Sequence, residues 1–279
     1  MMKLAFSTLG CPAWDLATAL GRAKEYEYDG IDIRSVLGTN SIWELEDFSS
    51  NLSASVKLVE RSGLEITCFS SSVKAFATGD ELAGYATELS TYLELCRTFG
   101  VGSIRIFGGE IGETPKDDAM NLVVDNCRRY VEKAERFGVT LLFETHDSWT
   151  ASARVRHLIE SVGSEHLRVV WDVAHPYRHS GEKPQETWKN LEPWVANTHW
   201  KDAYPKEPTA EIQRDFRLCL MGDGTLPLPE FLQTLQAGGY DGYFTLEWEK
   251  MWHSYLEEPE VAFPQFVSYM RALEEGNDE

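Results

Sequence analysis

The stretch Leu167-Arg168-Val169-Val170-Trp171-Asp172-Val173-Ala174-His175 constrains the fold of this chain more than any other. Its apolar, β-branched body has the pattern of a strand covered on both faces. Yet it ends in a carboxylate, with a histidine three residues further on. One such tip is also what a turn-capping aspartate looks like. The pattern recurs, however: Val139–Phe143 runs into Glu144, Val195–Thr198 into His199, and Tyr243–Leu246 into Glu247. Four consecutive strand-like segments therefore each deliver one metal-type ligand at the carboxyl end.

Ahead of these four, strands are expected at Leu4–Thr8, Gly30–Arg34, Glu65–Ser70 and Ser103–Phe107. Helices are expected between them, up to about Tyr26, at Asn51–Arg61 with Gly63 as its stop, at Asp80–Phe99, from about Pro115 to Phe137, at Ala151–Val162 and at Pro229–Gln236. Trp188–Leu191 reads as a short helical turn, and a polar loop from Ala203 to about Gly224 interrupts the rhythm. Eight strands alternating with helices are the count of an α/β chain folded as a single (β/α)8 TIM barrel, whose sites lie at the carboxyl ends of the strands. The expectation is one domain over 1–279, with 259–279 forming a C-terminal helix and an acidic tail. A doubly wound open sheet that binds nucleotide would need a glycine fingerprint after an early strand, and Gly10 alone does not supply it.

Composition narrows the function. With 279 residues, 43% of them hydrophobic and 12% aromatic, the chain can bury one large core. The apolar start Leu4-Ala5-Phe6 is too short for a secretory signal, and no run of roughly 18 uncharged apolar residues occurs. A soluble, cytoplasmic protein without a membrane partner is expected. Five cysteines without a Cys-x-x-Cys pair fit a reducing compartment and argue against zinc on thiolates. A net charge of −19 opposes the field of a nucleic acid and favours small neutral molecules or cations. A homo-oligomer is compatible with the sequence but not specified by it.

Glu144, Asp172, His199 and Glu247 come from neighbouring strands around half of a barrel mouth, so their heads can converge. Three carboxylates and one imidazole suit one divalent cation, Mn²⁺, Mg²⁺ or Co²⁺, with Zn²⁺ also compatible. Without a cation the like charges would repel or force a carboxylate pKa upward.

At this point the chain resembles the xylose isomerase-like TIM barrels, the sugar phosphate isomerases and epimerases. The resemblance rests on the order of Phe6-Ser7-Thr8-Leu9-Gly10-Cys11-Pro12-Ala13-Trp14, Tyr28–Arg34, Phe143-Glu144-Thr145-His146-Asp147, Trp171–Pro176, Thr198-His199-Trp200-Lys201-Asp202, Gly222–Pro227 and Thr245–Lys250. It implies a single metal on Glu144, Asp172, His199 and Glu247, with His175 nearby as a substrate contact. Arg34, His146 and Lys201 each follow an acidic or ligand residue by two, so strand alternation turns them toward the mouth. His146 and Lys201 fit substrate contacts there, against a surface ion pair or loop hydrogen bond, and Arg34 and Arg105 fit either substrate binding or a structural ion pair. Trp248 and Trp252 fit either the wall of a sugar site or core packing.

The reaction expected from this set is isomerisation or epimerisation of a keto or aldose sugar, in which Glu144 and Glu247 exchange a proton on opposite sides of the substrate. The same enediolate chemistry gives a dehydratase of a polyol-derived ketone if a neighbouring hydroxyl leaves. An endonuclease IV-type nuclease would want histidines where the chain has Ser70-Ser71 and Phe107-Gly108-Gly109, and a non-catalytic sugar binder would not need two opposed glutamates. No glycine-rich phosphate loop follows the last two strands, so a phosphorylated substrate is not indicated.

Overall fold

The expected strand bodies pair side by side into one closed barrel of eight parallel strands. The computed structural model describes residues 1–205 and 216–277. It contains β1 (Lys3–Ser7), β2 (Gly30–Ile33), β3 (Glu65–Lys74), β4 (Ser103–Phe107), β5 (Thr140–Glu144), β6 (Leu167–Asp172), β7 (Val195–Trp200), β8 (Asp202–Pro205), β9 (Phe216–Cys219) and β10 (Tyr243–Leu246). The helices are α1 (Leu16–Glu25), α2 (Leu52–Ser62), α3 (Gly79–Phe99), α4 (Lys116–Glu135), α5 (Ser152–Val162), α6 (Pro184–Leu191), α7 (Leu228–Ala237) and α8 (Pro259–Asn277). Around the barrel the order is β1-β10-β7-β6-β5-β4-β3-β2, and β1 closes the ring by pairing Phe6 with Leu246 on one side and Ile31 on the other. This is the (β/α)8 architecture.

Local chemistry sets the helix ends. Asp15 caps α1 by accepting the Thr18 N–H at 2.8 Å. Gly63 ends α2 at φ 74°, where a side chain would be strained. Several boundaries differ from the sequence reading. Pro115 precedes α4 as its cap instead of sitting in the first turn. The short turn expected at Trp188–Leu191 is the second half of α6. β3 continues four residues past Ser70, through a serine run with no apolar pattern, because a register shift lets Lys74 pair with Phe107. The polar loop after β7 begins and ends as the antiparallel hairpin β8–β9, while its middle, 206–215, lies outside the described residues.

Strand alternation divides the core in two. Between sheet and helices lies the large apolar cluster, in which Phe263 of α8 packs 4.2 Å from Phe6 between ring centroids. Inside the barrel, Cys68, Leu142 and Val170 form a small separate plug. Two residues beyond it on each strand, the inward set becomes polar: Ser7, Asp32, Ser70, Arg105, Glu144, Asp172, His199 and Glu247, all buried. The mouth is thus floored by a polar layer, beneath which the plug and the bonded pair Thr245–Asn197 fill the barrel. All five cysteines are free, and no helix among the described residues is long and apolar enough to cross a membrane.

Candidate active site

The ligand-type atoms of Glu144, Asp172, His199 and Glu247 lie within 4.8 Å of one another at the tips of β5, β6, β7 and β10. His199 is their centre. Its Nδ1 is 3.1 Å from Glu144 Oε1 and 3.3 Å from Glu247 Oε1, while Nε2 is 3.3 Å from Asp32 Oδ2. Asp172 is oriented by its own turn, since Oδ1 accepts the backbone N–H groups of Ala174 at 2.9 Å and His175 at 3.2 Å. That leaves Asp172 Oδ2 facing the cluster.

Cations secure the outer oxygens. Arg105 Nε lies 3.2 Å from Glu144 Oε2, and its Nη1 donates to the Ser71 carbonyl at 2.9 Å. Lys201 Nζ lies 2.8 Å from Asp172 Oδ2, 2.5 Å from Glu247 Oε2 and 2.9 Å from Glu249 Oε1. Burial opposes charge on every one of these groups, and the neighbours decide the outcome. Burial and Glu247 push the Glu144 carboxyl up, but Arg105 and His199 carry it below its ordinary range. Burial is likewise outweighed by Lys201 and His199 at Glu247, which is held well below that range. At Asp172 burial prevails over Lys201, and the pKa is raised. At His199 burial yields to Glu247 and Glu144, and the imidazole is lifted well above its usual value.

The donor set fits one divalent cation. Asp32, Glu144, Asp172, Glu247 and Glu249 outnumber Arg34, Arg105 and Lys201, and Glu88 beside Arg34 adds to the acidic side, leaving an excess of negative charge for a dication to offset when His199 is neutral. Asp32 Oδ1, Glu144 Oε2 and Asp172 Oδ2 are also buried without a hydrogen bond of good geometry. Glu144, Asp172, His199 and Glu247 could therefore hold one metal ion, with Nε2–H of His199 directed at Asp32, the usual support for a ligating imidazole. Asp32 and Glu249 are participants that reading the sequence passed over. Their signal was parity, since Asp32 lies two residues before Arg34 and Glu249 two after Glu247, positions that alternation turns the same way.

The remaining candidates divide into two groups. His146 and His175 lie side by side with ring centroids 4.7 Å apart. They line a cavity of about 380 Å³ with Glu110, Asp147, Thr150 and His179. His175 Nδ1 is 2.9 Å from the Thr145 carbonyl, which can only accept, so Nδ1 carries the hydrogen. Burial, then Lys201 and His146, hold its pKa well below the ordinary value, leaving Nε2 as an acceptor 3.6 Å from Asp172 Oδ2. Arg34 reaches the floor of the mouth, donating through Nη1 to Ser70 O at 3.2 Å and Ser72 Oγ at 3.0 Å. Burial and Arg105 lower its pKa to about 10. Trp248 is not brought to the mouth. The alternation that turns Glu247 and Glu249 inward turns Trp248 outward, where it packs in the apolar cluster and donates its indole N–H to Glu257 O at 2.9 Å. Trp252 remains half-exposed.

A profile of the xylose isomerase-like TIM barrel family matches residues 20–273. The chain belongs to this family. Among sequence relatives of this xylose isomerase-like barrel is fructoselysine 3-epimerase of Escherichia coli O157:H7, 24% identical over 187 residues, which are 65% of this chain and 64% of the relative. The chain thus matches just under two thirds of that relative's length. Among solved structures, the probable 3-DHS dehydratase AsbF from Bacillus anthracis superposes with a TM-score of 0.79 at 18% identity, covering 97% of this chain and 99% of the other. The IOLI protein with a binding zinc atom superposes with a TM-score of 0.76 at 17% identity, covering 98% and 96%. At these identities the two structures share the fold.

Proposed function

We propose that this xylose isomerase-like barrel is a divalent-metal-dependent epimerase or isomerase of an uncharged sugar or sugar-like ketone. The observation that carries the reading is the placement of Glu144 and Glu247. They stand on β5 and β10, three strands apart in a ring of eight and so nearly facing each other across the mouth, with the ligand cluster between them. A substrate lying over the cluster meets a carboxylate on each face. The sequence relative acting as a 3-epimerase supports proton transfer next to a ketone.

Glu144, Asp172, His199 and Glu247 would hold the ion, with Mn²⁺, Mg²⁺, Co²⁺ and Zn²⁺ all suited to this donor set. When bound, the cation supplies Lewis acidity to substrate oxygens and so acidifies the adjacent C–H. The protein's groups do the rest. Glu247, held ionised by Lys201 and His199, accepts the proton from one face. Glu144, steadied through Oε2 by Arg105, delivers from the other face a proton it first takes up from solvent, and Glu247 releases its own to solvent to reset the pair. His175 Nε2 accepts a hydrogen bond from a substrate hydroxyl, which orients the carbon between the glutamates. The acid-rich mouth favours a neutral polyhydroxy ketone over an anion.

A dehydratase is the second reading, favoured by the His146–His175 pair in its cavity beside the cluster. Burial of the His146 imidazole is outweighed by Asp147 and Glu144, so its pKa is raised and it can protonate a departing hydroxyl. Incubating the Mn²⁺-loaded protein in D₂O with ketohexoses, ketopentoses, an inosose and shikimate-pathway ketones separates the readings. Deuterium at the carbon next to the ketone, with rearranged product, supports the isomerase. Loss of water and a new ultraviolet chromophore support the dehydratase. Absence of both exchange and water loss across the whole panel would sink both.

A further inference from the structure

Among the described residues Lys201 is the one ammonium in contact with the polar layer, and its position relative to Asp172 is unusual. Asp172 has a single oxygen free to ligate, Oδ2, because Oδ1 is committed to the N–H groups of Ala174 and His175. Lys201 Nζ sits 2.8 Å from that Oδ2. It also touches Glu247 through Oε2 at 2.5 Å, leaving Oε1 toward His199. On its far side Nζ meets Glu249 Oε1 at 2.9 Å, and the other oxygen of Glu249 lies 3.4 Å from His253 Nε2 near the rim of the mouth. Lys201 is 1% exposed, so its charge has no solvent to retreat into. An ammonium and a dication cannot both draw on Asp172 Oδ2 without strong mutual repulsion in so buried a place.

We infer that Lys201 is an internal competitor for the cation site and that Glu249 is the positioning residue that decides the competition. Without metal, the ammonium supplies the positive charge that Asp172 and Glu247 require. With metal, it withdraws from Asp172 and is retained by Glu249, whose carboxylate lies outside the ligand set. Glu249 thereby sets the affinity of a site it does not touch. The inference rests on the assignment of Glu144, Asp172, His199 and Glu247 as metal ligands.

The test uses metal-stripped full chain titrated with MnCl₂ by calorimetry, with thermal unfolding followed with and without the ion. Lys201→Met is expected to bind Mn²⁺ at least about tenfold more tightly than wild type, to melt lower without metal, and to gain more on adding it. Glu249→Gln is expected to bind about tenfold more weakly, because the ammonium then has only Asp172 and Glu247 to hold. The double variant decides. If Glu249 acts through Lys201, Lys201→Met/Glu249→Gln binds as tightly as Lys201→Met alone. A double variant midway between the singles means two independent charge effects and overturns the inference, as does weaker binding by Lys201→Met. Circular dichroism checks folding, with Lys201→Gln and Glu249→Asp as second variants. Wild type that takes up no Mn²⁺ would instead overturn the ligand assignment itself.

Discussion

Glu144 and Glu247 differ from the other acids of the mouth in having one oxygen held by a fixed cation and the other turned to the cluster. Glu144→Gln and Glu247→Gln keep that shape but cannot take a proton, so each is expected to lower kcat by roughly 10²–10⁴. Measuring metal content beside kcat separates lost proton transfer from lost metal, and a variant with near-normal turnover loses its role as acid or base. His175→Ala removes an acceptor without touching a ligand. Metal occupancy should persist while kcat/KM falls by about 1.5–3 kcal/mol; loss of the metal would make His175 a support of Asp172 instead. Asp32→Ala leaves His199 without its partner on Nε2 and should weaken metal binding roughly 10–100-fold, and an unchanged calorimetric Kd would return Asp32 to a packing role. The cluster of Glu144, Asp172, His199 and Glu247 was legible because each ends an apolar run. Asp32 and Arg105 were harder to place because each lies within one, as Ile31-Asp32-Ile33 and Ile104-Arg105-Ile106, and only the finished barrel shows that these positions share the level of the tips.

Among the elements, the hairpin β8–β9 was least visible beforehand. Its strands are four residues each, one ends in Pro205, and neither carries an apolar stripe long enough to read. Asp202 is what holds it in place. Its carboxylate accepts backbone N–H groups from Ala203 at 2.7 Å, Gly222 and Gly224 at 2.9 Å each, and Leu226 at 3.3 Å. The run Gly222-Asp223-Gly224, legible as a turn, is therefore wrapped around a carboxylate. A Cβ on Gly224 would fall 2.1 Å from Asp202 Oδ1. Gly224→Ala must dislodge that anchor, and a loss of about 1–3 kcal/mol is expected, the scale of stranding buried donors. Urea unfolding measures it, and an unshifted midpoint would show that the turn does not depend on Asp202. Trp248 teaches the complementary lesson: its chemistry suited a sugar wall, but the parity that placed Arg34, His146 and Lys201 toward the mouth already assigned it to the helix side.

At the scale of the whole molecule, the barrel was legible because its evidence is repeated: eight apolar runs, glycine stops such as Gly63 and Gly100, and ligands always at the same end. The balance of charge was not legible, because it depends on which side chains meet. With a cation on the cluster, that charge pattern would make loading respond to pH. In the metal-free protein the pKa of His199 is raised, so the ring is charged at neutrality and must shed a proton before Nδ1 can ligate. Affinity should fall with falling pH, with about one proton released per Mn²⁺ at pH 7, read by calorimetry in buffers of differing ionisation enthalpy; no release would mean a ring already neutral. Stability of the metal-free protein follows the same groups. The raised His199 contributes fully below its unfolded value of about 6.5 and less as pH rises through its folded one, while the depressed Glu247 contributes above about 4.3 and less as pH falls through its own.

The seam where Phe6 pairs with Leu246 joins the first strand to the last, and Glu247 is the next residue along. On a growing chain, Glu144, Asp172 and His199 all emerge before the strand that seals the ring. Contacts so distant in sequence are the slowest to form. Three members of the cluster can therefore gather early, but the fourth arrives only with closure, and coordination of an ion by all four would be a chemical timestamp of a completed fold.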